Sequence, residues 1–350
     1  MDHKRIRDYG IVIGSGRPGP GNRITDVKGV TVGHTTIDTE EHKTGVTVIM
    51  PCPDNMFSNK LTAAVYVHNG FGKSQGLVQI EELGTLESPI ALTNTLNVGK
   101  VHDALVGYLL KSCKEQGIEI HSVNPVVGEC NDSGLNRIEE RVVGEKEVNE
   151  AIRNACVDFA EGNVGAGTGT VCFGLKGGIG SASRVVEYDG KEYMIGVLVQ
   201  SNFGATKSLR IGPDFVGPEL EKEVEAARTD QGSIMIIVAT DLPVSDRQLK
   251  RIIKRAGVGL SRCGSDMGHG SGDIIIGFTT ANRIPLEPER TVLEIQILRE
   301  DRLGDAFTAV AEAAEEAILN SLAAAKTVTG YRGNTRYSLT DLYLKRLPRA

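Results

Sequence analysis

Strand-like segments come in groups in this chain, and helical segments separate the groups instead of following each strand. The first group comprises β-branched or apolar runs bounded by turn residues, at 29–34, 45–50, 61–68 and 89–95. A doubly wound parallel sheet would instead alternate strand and helix along the chain. The grouping therefore favours a layered α+β architecture.

Later segments continue the same pattern. Further strands are expected at 9–13, 126–129, 193–200, 233–240, 271–279 and 292–297. Apolar residues at helical spacing predict helices at 101–113, 147–162, 249–256 and from 303 to about 327. No internal repeat or linker stands out, so we expect residues 1–350 to form a single domain.

Composition excludes several classes of partner. Hydrophobic residues make up 40% and charged residues 24% of the 350, which is typical of a soluble globular protein. The net charge of −6 and the lack of a basic block argue against nucleic-acid binding, and no apolar run is long enough for a membrane span. We therefore expect neither nucleic acid nor a membrane as a partner.

The cysteines and histidines indicate no metal site. The six cysteines show no C-x-x-C spacing, and the seven histidines show no metal-ligand spacing. Residues 1–5 lack the apolar core of a signal peptide. We expect reduced, mostly buried thiols, a cytoplasmic protein, and no metal or other cofactor.

The glycine-rich segment 162–181 could be read as a phosphate-binding loop. However, Lys176 is followed by Gly177 and Gly178 instead of the hydroxyl residue of a P-loop. The segment also follows an expected helix, whereas a dinucleotide fingerprint follows a strand. We interpret its glycines as serving tight turns and close backbone packing.

Ser271 lies between Gly270 and Gly272, immediately before a strongly apolar strand. Its hydroxyl could attack the carbonyl of Gly270, cut the chain and leave Ser271 as a new amino terminus. The free α-amine, which titrates near pH 8, could then serve as the general base. The alternative is a simple turn leading into a strand. His269 could act as a base or be an ordinary loop residue.

Three further polar residues are candidates for the same chemistry. Asn202 ends a strand and could donate to an oxyanion, or could serve only the following turn. Glu129 ends an apolar strand and could receive a substrate ammonium group, or be a solvated strand end. On the last helix, Glu315 borders the inward stripe and Glu316 points away from it.

Segments spread through most of the chain together resemble the DmpA/BapA family of L-aminopeptidase/D-amidase-esterases and β-aminopeptidases. The matching stretches, in order, are 67–70 (VHNG), 92–95 (LTNT), 125–129 (PVVGE), 165–169 (GAGTG), 176–184 (KGGIGSASR), 200–204 (QSNFG), 271–273 (SGD) and 315–320 (EEAILN). Any one match would be weak. Their common order makes the resemblance specific.

The resemblance implies a fold and a processing event. The fold is a four-layer αββα sandwich of the type shared with ornithine acetyltransferases. Members of the family are serine hydrolases resembling amino-terminal-nucleophile enzymes, and they cleave themselves before the nucleophile. The implied products here are an α chain of 1–270 and a β chain of 271–350, with cleavage between Gly270 and Ser271.

The resemblance also implies roles for individual residues. Ser271 would be the nucleophile, Asn202 the oxyanion donor and Glu129 the group that contacts the substrate amine. A serine and a glutamate two residues apart support the nucleophile in the family. Here the glutamate aligns with Glu315, but the serine position holds Ala313, and a one-residue shift gives Ala314 and Glu316 instead.

The leading hypothesis is therefore a self-processing serine aminopeptidase or amidase. Its expected substrates are short peptides, amides or esters with a free amine, and the resemblance implies a homo-oligomer, such as a tetramer. One alternative is an acyltransferase related to ornithine acetyltransferase, although those enzymes use threonine where Ser271 stands. The other is an unprocessed, non-catalytic binding protein.

Overall fold

Sixteen strands form two main sheets and three short hairpins in this computed structural model, which describes residues 4–224 and 232–347. The strands are β1 (Thr31–Asp38), β2 (Lys43–Met50), β3 (Asn59–Gly70), β4 (Thr85–Leu86), β5 (Ile90–Asn94), β6 (Val126–Cys130), β7 (Val171–Cys172), β8 (Leu175–Lys176), β9 (Gly178–Tyr188), β10 (Lys191–Asn202), β11 (Arg210–Ile211), β12 (Asp214–Phe215), β13 (Gly232–Thr240), β14 (Ser271–Pro285), β15 (Val328–Thr329) and β16 (Thr335–Arg336).

The two main sheets stack face to face. One has four strands in the order β1-β2-β5-β6, and the other has six in the order β4-β3-β14-β13-β10-β9. Most neighbours are antiparallel, but β5 pairs with β6, and β13 with β14, in parallel. Parallel neighbours cannot be joined by a tight turn, so a long crossover containing helices separates each such pair in sequence.

The helices that cover these sheets come from the crossovers and from the end of the chain. The helices are α1 (Leu77–Leu83), α2 (Val98–Glu115), α3 (Glu145–Arg153), α4 (Gly217–Leu220), α5 (Asp246–Ile253), α6 (Ala256–Arg262), α7 (Gly304–Ala323) and α8 (Leu339–Leu342). None of the helices within residues 4–224 and 232–347 has the length and apolar character needed to cross a membrane.

Three apolar cores lie between successive layers. One fills the space between α2, α3 and the four-stranded sheet, a second separates the two sheets, and a third lies between the six-stranded sheet and α5, α6 and α7. Ile276 of β14 belongs to the middle core, whereas Ile275 faces the helices, as the period of a strand requires. The expected four-layer αββα sandwich is confirmed.

Two expected strands are absent, and both segments are held differently. Residues 9–13 do not form a strand; instead, Ile6–Tyr9 form a single 3-10 turn. At 292–297 the apolar alternation is real, but the segment is exposed and pairs with no strand within the described chain. The side chain of Asn282 makes hydrogen bonds to both the amide and the carbonyl of Gln296, at 3.0 and 2.8 Å. A side chain thus takes the place of a neighbouring strand.

The helix expected at 147–162 is also shorter than predicted, since α3 ends at Arg153. Two residues beyond the helix cap, Cys156 pairs with Val32 of β1 through two backbone hydrogen bonds of 3.0 Å. The helical spacing of the apolar residues beyond that point is therefore accidental. Pairing with an existing sheet edge satisfies the backbone instead.

The glycine-rich segment packs tightly, as expected. A Cβ atom on Gly178 would lie 2.4 Å from the carbonyl oxygen of Gly162, and one on Gly180 would lie 2.1 Å from that of Ala317 on α7. Any larger residue would push the strand off its neighbours. These glycines let α7 and the 162–170 loop approach β9 at backbone distance.

Candidate active site

Ser271 begins β14, a central strand of the six-stranded sheet. It pairs in parallel with Gly232 at the start of β13, and it is 1% exposed. The amide of Phe71 donates to the Ser271 carbonyl at 3.2 Å, and the amide of Gly272 donates to Ser233 Oγ at 3.2 Å. Both neighbouring strands therefore fix the backbone on the carboxyl side of the serine.

The backbone on the amino side of Ser271 forms a tight turn. The Ser271 amide donates to the carbonyl of Gly268 at 2.9 Å, and Asn69 Nδ2 donates to the same oxygen at 2.5 Å. Met267, just before the turn, has a left-handed φ of 52°. His269 lies on the exposed tip of this turn, so its side chain is placed as that of a loop residue.

The Ser271 hydroxyl has a partner that was not among the predicted site residues. Its Oγ donates to Asp273 Oδ1 at 2.6 Å, and Asp273 is 2% exposed. Residues two apart in a strand share a face, so the Ser-x-Asp spacing at the start of a predicted strand was an available signal.

Asn202 lies at the matching end of β10, two strands away from Ser271. It pairs with Ser233, which follows the residue opposite Ser271. At about 4.8 Å between strands, this places the two backbones on the order of 10 Å apart. The Val171 amide donates to Asn202 Oδ1 at 2.9 Å, which leaves the Nδ2 end of the amide as the donor.

A buried lysine organises the loop that holds Asn202. Lys176 Nζ donates to the carbonyls of Gly167 and Thr170, both at 2.8 Å, and to that of Gly177 at 2.7 Å. The residue after Thr170 provides the amide that binds Asn202. Burial lowers the pKa of Lys176 to about 7. This lysine therefore closes the glycine-rich loop on itself, because all three of these hydrogen bonds end on carbonyl oxygens of the same segment.

Glu129 approaches β14 from the other sheet. It lies near the end of β6 and is 2% exposed. Lys73 N donates to its Oε1 at 2.9 Å, and Thr95 Oγ1 donates to its Oε2. A Cβ on Gly72 would lie 3.7 Å from Glu129 Oε1 and 3.8 Å from Gly272 Cα. Gly72 therefore lies between this carboxylate and Gly272, the residue after Ser271.

Glu315 lies on α7 against α6. Its Oε2 is 3.4 Å from Arg262 Nη1, and its carbonyl accepts from Cys263 Sγ at 3.7 Å. Burial raises the pKa of Glu315, and the neighbouring guanidinium opposes that shift. Within the part of the chain that the structure describes, none of its hydrogen bonds or ion pairs reaches Ser271.

Glu316, which was expected to point away from the inward stripe of the last helix, lies on a face that is also covered by protein. The residue is fully buried. Its Oε2 lies 2.7 Å from Arg184 Nη2, its Oε1 lies 2.6 Å from Arg7 Nε, and Asn22 donates to it as well. Although burial alone would raise the pKa of this carboxyl, the two guanidinium groups hold it below its usual value. The chain before β1 and strand β9 cover the helix face that a simple amphipathic pattern assigns to solvent.

One group of side chains among the described residues has the spacing of metal ligands. The ligand atoms of Glu41, His42 and Glu140 lie within 4.8 Å of one another. The Arg137 guanidinium, however, is 3.0 Å from both carboxylates. The guanidinium therefore already offsets one of the two negative charges. This surface cluster offers no reason to place a cation.

The six cysteines are free thiols, and five of them are buried; Cys156 is exposed. Burial raises the pKa of Cys130, which follows Glu129. Its Sγ donates to the carbonyls of Gln200 and Ser233, at 3.4 and 3.5 Å. This thiol therefore ties the two sheets together beside the candidate site instead of acting as a nucleophile.

Comparisons with known proteins agree with this arrangement. Residues 22–336 match peptidase family S58. The chain is 40% identical to the β-peptidyl aminopeptidase BapA of Sphingosinicella microcystinivorans, over 99% of this chain and 90% of that protein.

Two solved structures are closely similar. The PH0078 protein from Pyrococcus horikoshii OT3 superimposes with a TM-score of 0.93 at 47% identity, covering 98% of each chain. The L-aminopeptidase D-Ala-esterase/amidase of Ochrobactrum anthropi, described as a prototype for the serine aminopeptidases and a variant of the Ntn hydrolase fold, superimposes with a TM-score of 0.89 at 34% identity. That match covers 98% of this chain and 99% of the other.

Proposed function

We propose that this chain, which belongs to peptidase family S58, cuts itself before Ser271 and then removes amino-terminal residues from short peptides, amides or esters. It is a hydrolase of the serine aminopeptidase type with an Ntn-hydrolase fold. Cleavage between Gly270 and Ser271 would give an α chain of 1–270 and a β chain of 271–350. The single observation that carries the proposal is the position of Ser271. This buried serine is the first residue of a central strand, and Gly72 lies between the next residue, Gly272, and the buried carboxylate of Glu129.

In the proposed reaction the Ser271 hydroxyl attacks the scissile carbonyl, and the new α-amine takes its proton. Asn202 Nδ2 stabilises the tetrahedral oxyanion, and Glu129 binds the substrate ammonium. Water then hydrolyses the acyl-enzyme. For Glu315 we propose an indirect part: through Arg262 and α6 it supports the connection that leads to the cleavage site.

Mass spectrometry of the purified protein tests self-cleavage directly. We expect two fragments that meet at Gly270 and Ser271, and an intact chain for S271A. An intact wild-type chain would instead support the non-catalytic binding protein. Because both variants carry the same tags and purification history, contaminating proteases would cut both alike.

The oxyanion role of Asn202 predicts a specific kinetic defect. N202D keeps an oxygen for the Val171 amide but removes the donor, so kcat should fall about 10²–10³-fold with little change in unfolding free energy. The measurement is steady-state hydrolysis of an aminoacyl p-nitroanilide by processed protein. Unchanged kcat would remove Asn202 from the mechanism.

We also propose that the enzyme is a cytoplasmic homo-oligomer, such as a tetramer. Exposed apolar side chains at Val292, Ile295 and Ile297 support a surface that another subunit covers, and the free buried thiols are compatible with a reducing compartment. Light scattering after size-exclusion chromatography gives the subunit number. A monomer at micromolar concentration would contradict the assembly.

A further inference from the structure

We propose that Asp273 is the catalytic base of self-cleavage, the residue that takes the Ser271 hydroxyl proton before any α-amine exists. This inference rests on the proposed cleavage between Gly270 and Ser271. It assigns a role to the last residue of the Ser-Gly-Asp motif, which the aminopeptidase reaction described above does not use.

The contact between the two side chains is short and buried. Ser271 Oγ lies 2.6 Å from Asp273 Oδ1, and the two residues are 1% and 2% exposed. A hydrogen bond from a hydroxyl to a carboxylate falls in this distance range and is stronger than one between neutral groups. A proton acceptor within hydrogen-bond reach of the nucleophile is the first geometric requirement of a general base.

Self-cleavage needs a base other than the one that serves turnover. In the uncut chain the Ser271 nitrogen is a peptide amide, and it donates to the Gly268 carbonyl at 2.9 Å. An amide nitrogen cannot accept the hydroxyl proton. His269 is on the exposed tip of the turn. Among the residues that the structure describes, Asp273 supplies the acceptor in contact with this hydroxyl.

The turn before the scissile bond is held from the neighbouring strand. Asn69, which pairs with Asp273 across β3 and β14, donates through Nδ2 to the carbonyls of Gly268 and Met267, at 2.5 and 3.4 Å. The nucleophile, its base and the turn are thus fixed by adjacent positions of one sheet. Such fixed geometry lowers the entropic cost of the attack.

The proposed step balances in protons and bonds. Asp273 takes the hydroxyl proton as Ser271 Oγ bonds to the Gly270 carbonyl carbon. When the tetrahedral intermediate collapses, the bond from that carbon to the Ser271 nitrogen breaks, and the Asp273 carboxyl returns the proton to the leaving nitrogen. Water then attacks the resulting ester, which releases the Gly270 carboxylate and restores the Ser271 hydroxyl.

D273N tests this step in the full-length chain. The amide keeps the shape and an oxygen for the hydroxyl but cannot take its proton, so fragment formation should slow about 10²-fold or more. Fragments are quantified over time by mass spectrometry after rapid purification, with S271A as the uncut control. Near-uniform circular dichroism and denaturant midpoints across the variants would show that the fold is kept.

Hydroxylamine separates the two halves of the reaction because it cleaves esters without needing the protein. We expect it to leave D273N uncut, since no ester forms. If hydroxylamine restores wild-type fragment yields, Asp273 acts after the ester and the proposal is overturned. Wild-type processing by D273N also overturns it while leaving the proposed aminopeptidase intact, whereas an uncut wild-type chain overturns both.

A second variant covers the case in which D273N does not fold. D273A leaves a space beside the hydroxyl that formate can occupy. We expect fragments to form faster in formate than in chloride at equal ionic strength, by at least several-fold. Equal rates in the two salts would count against a proton-accepting role. S271A in formate controls for cleavage that does not involve the serine.

Discussion

At the scale of single residues, the site depends on buried polar groups whose hydrogen bonds are made by other groups of the protein. Glu129 is the clearest case, because a backbone amide and a hydroxyl both donate to its buried carboxylate. These donors hold both carboxylate oxygens in fixed positions. In the proposed reaction, this fixed carboxylate beside β14 binds the substrate ammonium.

E129Q should therefore lower activity according to substrate charge. For a p-nitroanilide with a free amine, we expect kcat/KM to fall about 10²-fold, since one partner of a buried charge pair is lost. The N-acetylated form of the same substrate is the control, and its slow hydrolysis should change little. Equal losses on both substrates would mean that Glu129 supports the fold and does not read the ammonium.

Several of these residues could be predicted from the sequence, and others could not, for a physical reason. Ser271, Asn202 and Glu129 each end or begin an apolar strand, so strand patterns place them at sheet ends. The spacing of Ser271 and Asp273 places both on one face of a strand, but strand patterns do not show that the two side chains are hydrogen-bonded. The burial of Glu316 depends on Arg184, which is distant in sequence and invisible to helical periodicity.

At the scale of elements, the loop after β6 carries a buried acid that titrates in an accessible range. Asp132 is 1% exposed, and its Oδ1 accepts from Asn136 Nδ2 at 2.9 Å. Burial raises the pKa of Asp132 to about 6, although hydrogen bonds from neighbours including Thr44 oppose the shift. The folded protein therefore binds this proton more tightly than the unfolded chain does.

The raised pKa of Asp132 determines the direction in which the free energy of unfolding changes with pH. Between pH 4 and 6 the folded state holds more protons at Asp132, so its contribution to unfolding free energy falls as pH rises. Relative to wild type, D132N should gain about 2 kcal/mol between pH 4 and pH 6.5. Urea unfolding in an S271A background measures this without chain cleavage. D38N, at an exposed carboxylate, should stay within about 0.5 kcal/mol at both pH values; an equal gain there would refute the assignment.

Strands whose apolar side chains pack into the cores were predicted well. Segments whose structure depends on a hydrogen bond from a distant residue were predicted poorly. The buried strands β5, β6, β10 and β13 differ from expectation by at most two residues at either end. The segment at 292–297 fails because Asn282 binds its backbone, and α3 stops early because Cys156 joins β1. Both outcomes depend on groups outside the local pattern.

At the scale of the whole molecule, a buried ion network joins the start of the chain to its end. Arg184 of β9 is fully buried, and it contacts Glu312 and Glu316 of α7 at 3.1 and 2.7 Å. The same carboxylates bind Arg7 and the amides of Ser15 and Gly16. The network thus holds the amino-terminal segment, the sheet edge and the last helix in one arrangement.

R184M should destabilise the protein strongly. Removing the guanidinium leaves two carboxylates in a buried site without their shared partner, which typically costs about 3–5 kcal/mol. Denaturant unfolding of R184M in the S271A background measures the loss. R17M, in an exposed ion pair with Glu192, is the matched control and should cost less than about 1 kcal/mol. Similar losses for both would show that the buried network contributes no more to the free energy of unfolding than an exposed ion pair does.

The position of Ser271 at the start of a central strand has a consequence for the life of the molecule. Once the bond before it is cut, β14 remains hydrogen-bonded to β3 and β13, and α7 remains packed on β9 and β10. The native state would then consist of two chains that folded as one. After full unfolding, the two chains would have to meet again in solution, so refolding would depend on protein concentration. The cut enzyme would therefore persist because it unfolds slowly, and not because it refolds readily.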